Sequence, residues 1–226
     1  MFSVIFEVHP RDGKKDEYLG YAKDLKPVLE QIDGFIDNER FASRHRPGWV
    51  LSHSTWRDEK SVIRWRTEAR HHLIQEKGRF EVFSDYHLRV GEVTADTHPP
   101  VGAPIREQRF DATEVGTAKV CLLVELTPGK GAELPKAEND LLRSIGLDPG
   151  IEGLASVEVY DSIYNPGKVL VLASWTNEVA ADAFRLDAVA IAGTARRRAV
   201  RVIRDYGKFD RREAPQYYRD VGQGPE

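Results

Sequence analysis

One ten-residue phrase occurs twice in this chain. Pro47 to Trp56 reads PGWVLSHSTW and Pro166 to Trp175 reads PGKVLVLASW, an offset of 119 at which Pro, Gly, Val, Leu and Trp coincide and Thr55 meets Ser174. Other landmarks keep nearly the same spacing: Glu7 meets Glu125, Glu39 meets Glu158, and Asp85-Tyr86 meets Asp205-Tyr206. Landmarks held within one residue of a common shift mark a tandem duplication, which constrains the fold more than any local propensity. The units are residues 1–95 and 117–212, separated by a polar, proline-containing linker over 96–116 and followed by a tail over 213–226. With 226 residues in all, each half is long enough to bury a core of its own.

Within each unit the periodicity reads strand, helix, strand, strand, helix, strand. Ser3 to His9 alternates as a strand, and Lys14 to Ile32 carries Tyr18, Tyr21, Ala22, Leu25 and Leu29 at helical spacing before Asp33-Gly34 stops it. Phe35 to Ser43 and Trp49 to Trp56 form a hairpin across the Pro47-Gly48 turn. Asp58 to Gln75 follows as one helix with Val62, Trp65, Ala69, His72 and Leu73 on a single stripe, and Tyr86 to Val93 closes the unit. This order is the split βαβ, or ferredoxin-like, arrangement, with both helices on one sheet face. The other face must also be buried, and the economical partner is the same face of the second copy. The fold class is therefore α+β: two ferredoxin-like units forming an intramolecular dimeric α+β barrel of eight strands. Pairing of two such chains into a further homodimer stays open.

Composition excludes several functions. A net charge of −3 with 31% charged and 41% hydrophobic residues is a soluble balance with no broad field to recruit nucleic acid. The start MFSVIFEVHP alternates like a strand and is too short to span a bilayer, so no membrane partner and a cytoplasmic location are expected. Cys121, the one cysteine, lies in the apolar run VCLLV and reads as core. The basic run ARRRAVRVIR, Ala195 to Arg204, reads as the solvated end of a helical segment, balanced by Asp205, Asp210 and Glu213. Tyr217 and Tyr218 in the tail are candidates to dock on the body.

All seven histidines precede residue 99. Through the offset His71 meets Ala190, His72 meets Ile191, His53 meets Leu172 and Trp65 meets Phe184, so the sizeable polar pocket is expected in the first copy alone. His72, on the inward stripe beside Trp65, is the candidate general base, because a neutral imidazole accepts a proton near neutral pH. His53, mid-strand on a face with Leu51 and Thr55, is a second catalytic candidate if that face meets the helices; otherwise it packs between the sheets. Trp65 offers an aromatic wall for substrate. Asn38 and Arg40 share a strand face and could orient a polar substrate group, while His71, about 100° round the helix from His72, is a weaker binding candidate. No His-x-x-x-His pair or cysteine pair suggests a metal.

The residues IDGF, ERF, the Pro-Gly hairpin, the strand ending STW followed by RDE, and a second helix with Trp65 and His72 resemble the antibiotic biosynthesis monooxygenase (ABM) family. That resemblance implies a cofactor-independent monooxygenase in which a base removes an acidic proton from a planar, partly apolar small molecule and the resulting anion reduces O2. His72 would be that base. A haem-degrading branch places a Trp on the second helix and a His ten residues later; Trp65 matches, and Gln75 stands at the second position. Haem is thus the alternative cofactor to none, and a non-catalytic ligand-binding or structural protein is the alternative to an enzyme.

Overall fold

The structure, a computed structural model, describes residues 1–186 and 192–215. The first copy is built from β1 (Phe2–Pro10), α1 (Lys15–Leu29), β2 (Phe35–Ser43), β3 (Val50–Trp56), α2 (Glu59–Thr67), α3 (Ala69–Lys77), a π-helical turn (Gly78–Val82) and β4 (Phe83–Asp96). The second repeats this with β5 (Val120–Pro128), α4 (Glu138–Ser144), β6 (Leu154–Ser162), β7 (Val169–Trp175), α5 (Glu178–Ala183) and β8 (Gly193–Gly207).

The eight strands close into one antiparallel barrel in the order β1-β3-β2-β6-β7-β5-β8-β4. Each copy thus contributes the order last-first-third-second expected of a split βαβ unit, and the barrel has no free edge to protect. Two seams join the copies. The β2–β6 seam is short, from Phe41 opposite Ser162 to Ser43 opposite Tyr160. The β4–β8 seam runs from His87 opposite Gly207 to Asp96 opposite Arg198.

Closure covers both faces of the strands along much of their length, though β6 keeps Ala155, Ser156 and Asp161 exposed. Ile5, Leu51, Cys121, Leu123, Leu172 and Val200 fill the barrel interior, while Leu122, Val124, Val171 and Trp175 face outward beneath Leu141, Leu142 and Phe184. This explains the unbroken apolar run of β5. The repeat extends to side-chain packing: Trp56 stacks on Trp65 with centroids 6.5 Å apart and Trp175 on Phe184 at 6.0 Å.

The interior also holds charge. Arg89 and Arg46 donate to Glu7, and the Tyr160 hydroxyl donates to the same carboxylate at 2.6 Å. The repeat-related Glu125 pairs with Lys168 at 2.7 Å.

Two expectations need correction here. The basic run is strand β8, not a helix end, and much of it is buried. Arg198, 1% exposed, and Arg196 both pair with Asp96, at 3.0 and 2.7 Å, and Arg201 reaches Glu107 at 2.9 Å. The balancing acids come across the seam from β4 and the linker rather than from the neighbouring Asp205 and Asp210. The predicted second helix is two helices. Glu68 leaves helical geometry at φ −60° and ψ 131° and caps α3, its carboxylate accepting from His71 N at 2.7 Å. Ala190, Ile191, Tyr217 and Tyr218 lie outside the described residues.

Gly91 allows the long seam to close. A Cβ there would overlap the Arg201 carbonyl oxygen and Val200 Cγ1. Gly91→Ala is expected to cost about 1–3 kcal/mol, because the strands must shift to admit a methyl. Urea denaturation should show a lower midpoint with the slope unchanged; an unaltered midpoint would mean that the seam yields freely.

Candidate active site

Between the outward face of β4-β1-β3-β2 and the helices of the first copy lies a cavity of about 210 Å³. Leu25, Leu29, Val62, Phe6 and Phe83 give it a mostly apolar wall. Its polar floor comes from the strands: Asn38 and Arg40 of β2, with Ser52 and Ser54 of β3. Trp65, His71 and Gln75 line it from the helices. The corresponding space in the second copy is filled by Leu141, Leu142, Ile145 and Phe184 over the sheet.

The break at Glu68 decides which histidine enters. An unbroken helix would continue the Val62-Trp65-Ala69 stripe to His72. Restarting the helix after one extended residue changes its phase, so His72 is exposed and does not line the cavity, whereas His71 does. The His71 ring stacks on Trp65 with centroids 3.9 Å apart and planes inclined by 12°. Its Nδ1–H donates to the Trp65 carbonyl at 2.8 Å, which also accepts from Glu68 N at 3.2 Å where α2 ends. That bond leaves the lone pair on Nε2. Burial pushes the His71 pKa down to about 4, so the ring is neutral at physiological pH and able to accept a proton. Gln75, ten residues after Trp65, lies 3.1 Å from this imidazole.

His53 faces the other way. It is inside the barrel, 3% exposed, with Nε2 2.8 Å from Ser3 Oγ and 3.2 Å from Arg198 Nη1. Burial and the Arg198 guanidinium lower its pKa to about 3. The β3 face carrying Leu51, His53 and Thr55 meets the opposing sheet, so His53 does not reach the cavity; Ser52 and Ser54 do.

Asn38 and Arg40 act as a unit. Asn38 Nδ2 donates to Ser52 Oγ at 3.1 Å and to the His53 carbonyl at 2.9 Å, which turns Oδ1 toward Arg40 Nη1 at 3.0 Å. The second copy also enters the site: Arg204, Tyr206 and Arg211 line one part of it. Tyr86 accepts from Arg79 and Arg211, each at 2.8 Å, and burial raises the Tyr206 phenol to about 12. The repeated Asp-Tyr pair was the one sequence sign of Tyr86 and Tyr206, and it carried no hint that both face one cavity.

A second, more open hollow of about 690 Å³ lies beside the β2–β3 turn, with Arg44, Lys136 and Asp161 in its walls. A polar hollow is therefore not confined to the first copy. Two of its wall residues are already paired, Arg44 with Asp161 at 2.7 Å.

Residues 1–77 match the family model described as antibiotic biosynthesis monooxygenase. A relative from Pyricularia oryzae, named jasmonate monooxygenase ABM, is 46% identical over 223 residues, spanning 96% of this chain and 98% of the relative. The chain belongs to the antibiotic biosynthesis monooxygenase family. Identity at that level over nearly both full lengths means that the relative has both copies. Among solved structures, an aldoxime dehydratase in complex with butyraldoxime superposes with a TM-score of 0.56 at 14% identity, covering 89% of this chain and 79% of that one. That likeness concerns the barrel fold alone. A solved antibiotic biosynthesis monooxygenase matches 40% of this chain and 95% of its own at 14% identity and a TM-score of 0.36. Among the described residues of this ABM protein no helix is long and apolar enough to cross a membrane.

Proposed function

We propose that this ABM protein monooxygenates jasmonate or a close analogue in the cavity of its first copy, with His71 as the base. The observation that carries this reading is the neutral, Trp65-stacked His71 in a largely apolar cavity, in a chain 46% identical end to end to a jasmonate monooxygenase. Jasmonate is a cyclopentanone with an acetate arm and a pentenyl arm, an apolar body with two polar groups, and the lining offers both kinds of surface. It is less flat than the planar substrate expected from sequence, and aliphatic Leu25, Leu29 and Val62 accommodate it.

Chemically, His71 Nε2 would take a proton from carbon next to the substrate carbonyl, leaving an electron-rich enolate. The enolate gives electrons to O2, a carbon–oxygen bond forms, and loss of water from the hydroperoxide leaves a carbonyl. One oxygen atom of O2 is retained, the other leaves as water, and no outside reductant is consumed. The apolar wall of the cavity favours both the neutral base and the encounter with apolar O2.

A reading without haem is supported by Gln75, which stands ten residues after Trp65 where the haem-degrading branch carries its histidine. The test is O2 uptake by purified protein with jasmonic acid, using labelled O2, alongside its visible spectrum before and after haem addition. Uptake without reductant, one labelled atom in the product and a spectrum unchanged by haem are expected. Absence of uptake would overturn the oxygenase reading, and turnover that appears only with a new Soret band would assign the chemistry to haem.

A further inference from the structure

The cavity carries more positive charge than an apolar ketone would require. Its lining includes five arginines, at 40, 66, 79, 204 and 211, against one carboxylate, Glu59. That carboxylate is already held by Arg109 at 2.9 Å. This concentration occurs in a chain whose net charge is −3.

Arg40 is the member of this set most clearly prepared for a ligand. It stands on β2 opposite Ser52, on the floor of the cavity, where Tyr18 lies 6.0 Å from its guanidinium carbon. One arm is fixed, Nη1 donating to Asn38 Oδ1, and Asn38 is held by Ser52 and the His53 carbonyl. Arg40 Nε is buried, with no hydrogen-bond partner among the described residues. A buried donor on a cation is costly to leave unmade. A guanidinium braced on one arm presents its remaining N–H groups as a fork, the geometry that accepts a carboxylate through two parallel hydrogen bonds.

We infer that Arg40 is the carboxylate anchor of this site, and that the protein therefore takes free carboxylic acids with an apolar body and discriminates against their esters. The inference rests on the reading that this cavity binds the substrate. Asn38 is the positioning residue: it touches Arg40 and sets the direction of the fork. Anchoring one end by a charged pair fixes which carbon of the apolar body lies near His71, so Arg40 governs orientation as well as affinity.

Binding can be read without turnover, by isothermal titration of the full chain with jasmonic acid and methyl jasmonate, and with nonanoic acid and methyl nonanoate. The wild-type protein should bind each acid roughly 10- to 100-fold more tightly than its ester, the range for a charged hydrogen-bonded contact. Arg40→Gln should remove that preference by weakening the acids and leaving the esters unchanged; Arg40→Lys, which keeps charge but not the fork, should fall between. Equal wild-type affinity for acid and ester, or binding of neither pair, overturns the anchor. So does an Arg40→Gln protein that loses acid and ester alike. If that variant fails to fold, the wild-type ratio and Arg40→Lys still decide. An acid preference in both pairs without O2 uptake would sustain the anchor while refuting the oxygenase, so the two failures are distinguishable.

Discussion

Replacing His71 with alanine is expected to lower the turnover number by roughly 10² to 10⁴-fold, the contribution of a positioned general base. Substrate affinity should change far less, because the apolar walls and Arg40 remain. Thermal denaturation should show a folded protein, since the side chain is partly exposed and its main bond is to a carbonyl at a helix end. His72→Ala, altering the exposed neighbour, should retain activity. The pH profile offers a second check. A base with its pKa lowered to about 4 stays neutral well below the ordinary histidine value of 6.5. The acid limb of kcat should therefore be flat from pH 8 down to about pH 5, whereas an unburied imidazole would halve the rate near its own pKa. Full activity in His71→Ala, or an acid limb centred near 6.5, would remove His71 from the mechanism.

The second large effect concerns stability. Glu7 is 4% exposed and Arg89 is likewise 4% exposed, facing each other inside the barrel. Burial alone would raise the Glu7 pKa, but Arg89, the Tyr160 hydroxyl and Arg46 outweigh it and bring it down to about 2. Glu7→Ala leaves the Arg89 cation buried without its counter-charge, and the expected loss is about 3–5 kcal/mol. Exchanging both for apolar residues of similar volume, Glu7→Leu with Arg89→Met, should recover much of that loss, because the desolvation cost of the pair vanishes with it. A double variant as unstable as Glu7→Ala would show that the charges themselves are required.

The sign of the pH dependence follows from the same group. The folded pKa of Glu7 lies below the unfolded value of 4.5, so its stabilisation is complete above 4.5 and is lost as pH falls toward 2. His53 and His71 are also lowered, from 6.5 to about 3 and about 4. Their unfolded forms bind protons that the folded forms refuse, so stability declines as pH falls below 6.5. Wild-type protein should thus lose stability in two stages. Glu7→Ala should keep the decline that begins below 6.5 and show a shallower one between 4.5 and 2, where Asp58 and Asp96, also lowered, still lose their stabilisation, as followed by urea midpoints across pH.

Much of the molecule was legible in the residue order. The offset of 119 specifies two copies, alternation and helical spacing specify the element order, and the need to bury a second sheet face specifies a closed barrel. These are properties of near neighbours along the chain or of one repeat against itself. The placement of Asn38, Arg40 and Trp65 in one cavity followed from strand and helix periodicity in the same way.

What the sequence did not determine was which of two buried surroundings each side chain meets. Period-two alternation puts His53 with Leu51 and Thr55, but when both faces of a strand are covered it does not say which cover is helix and which is sheet; closure of the barrel decided that. The choice of His71 over His72 depended on one extended residue, Glu68, in a segment without Gly or Pro to announce a break. Arg196 and Arg198 resemble a solvated run until β4 brings Asp96 across the seam. Tyr206 and Arg204 reach the first copy's cavity only because β8 pairs with β4. In each case the deciding contact lies about a hundred residues away along the chain or turns on the phase of a restarted helix. Local sequence encodes period and propensity, whereas the identity of the facing surface exists only once distant strands have paired.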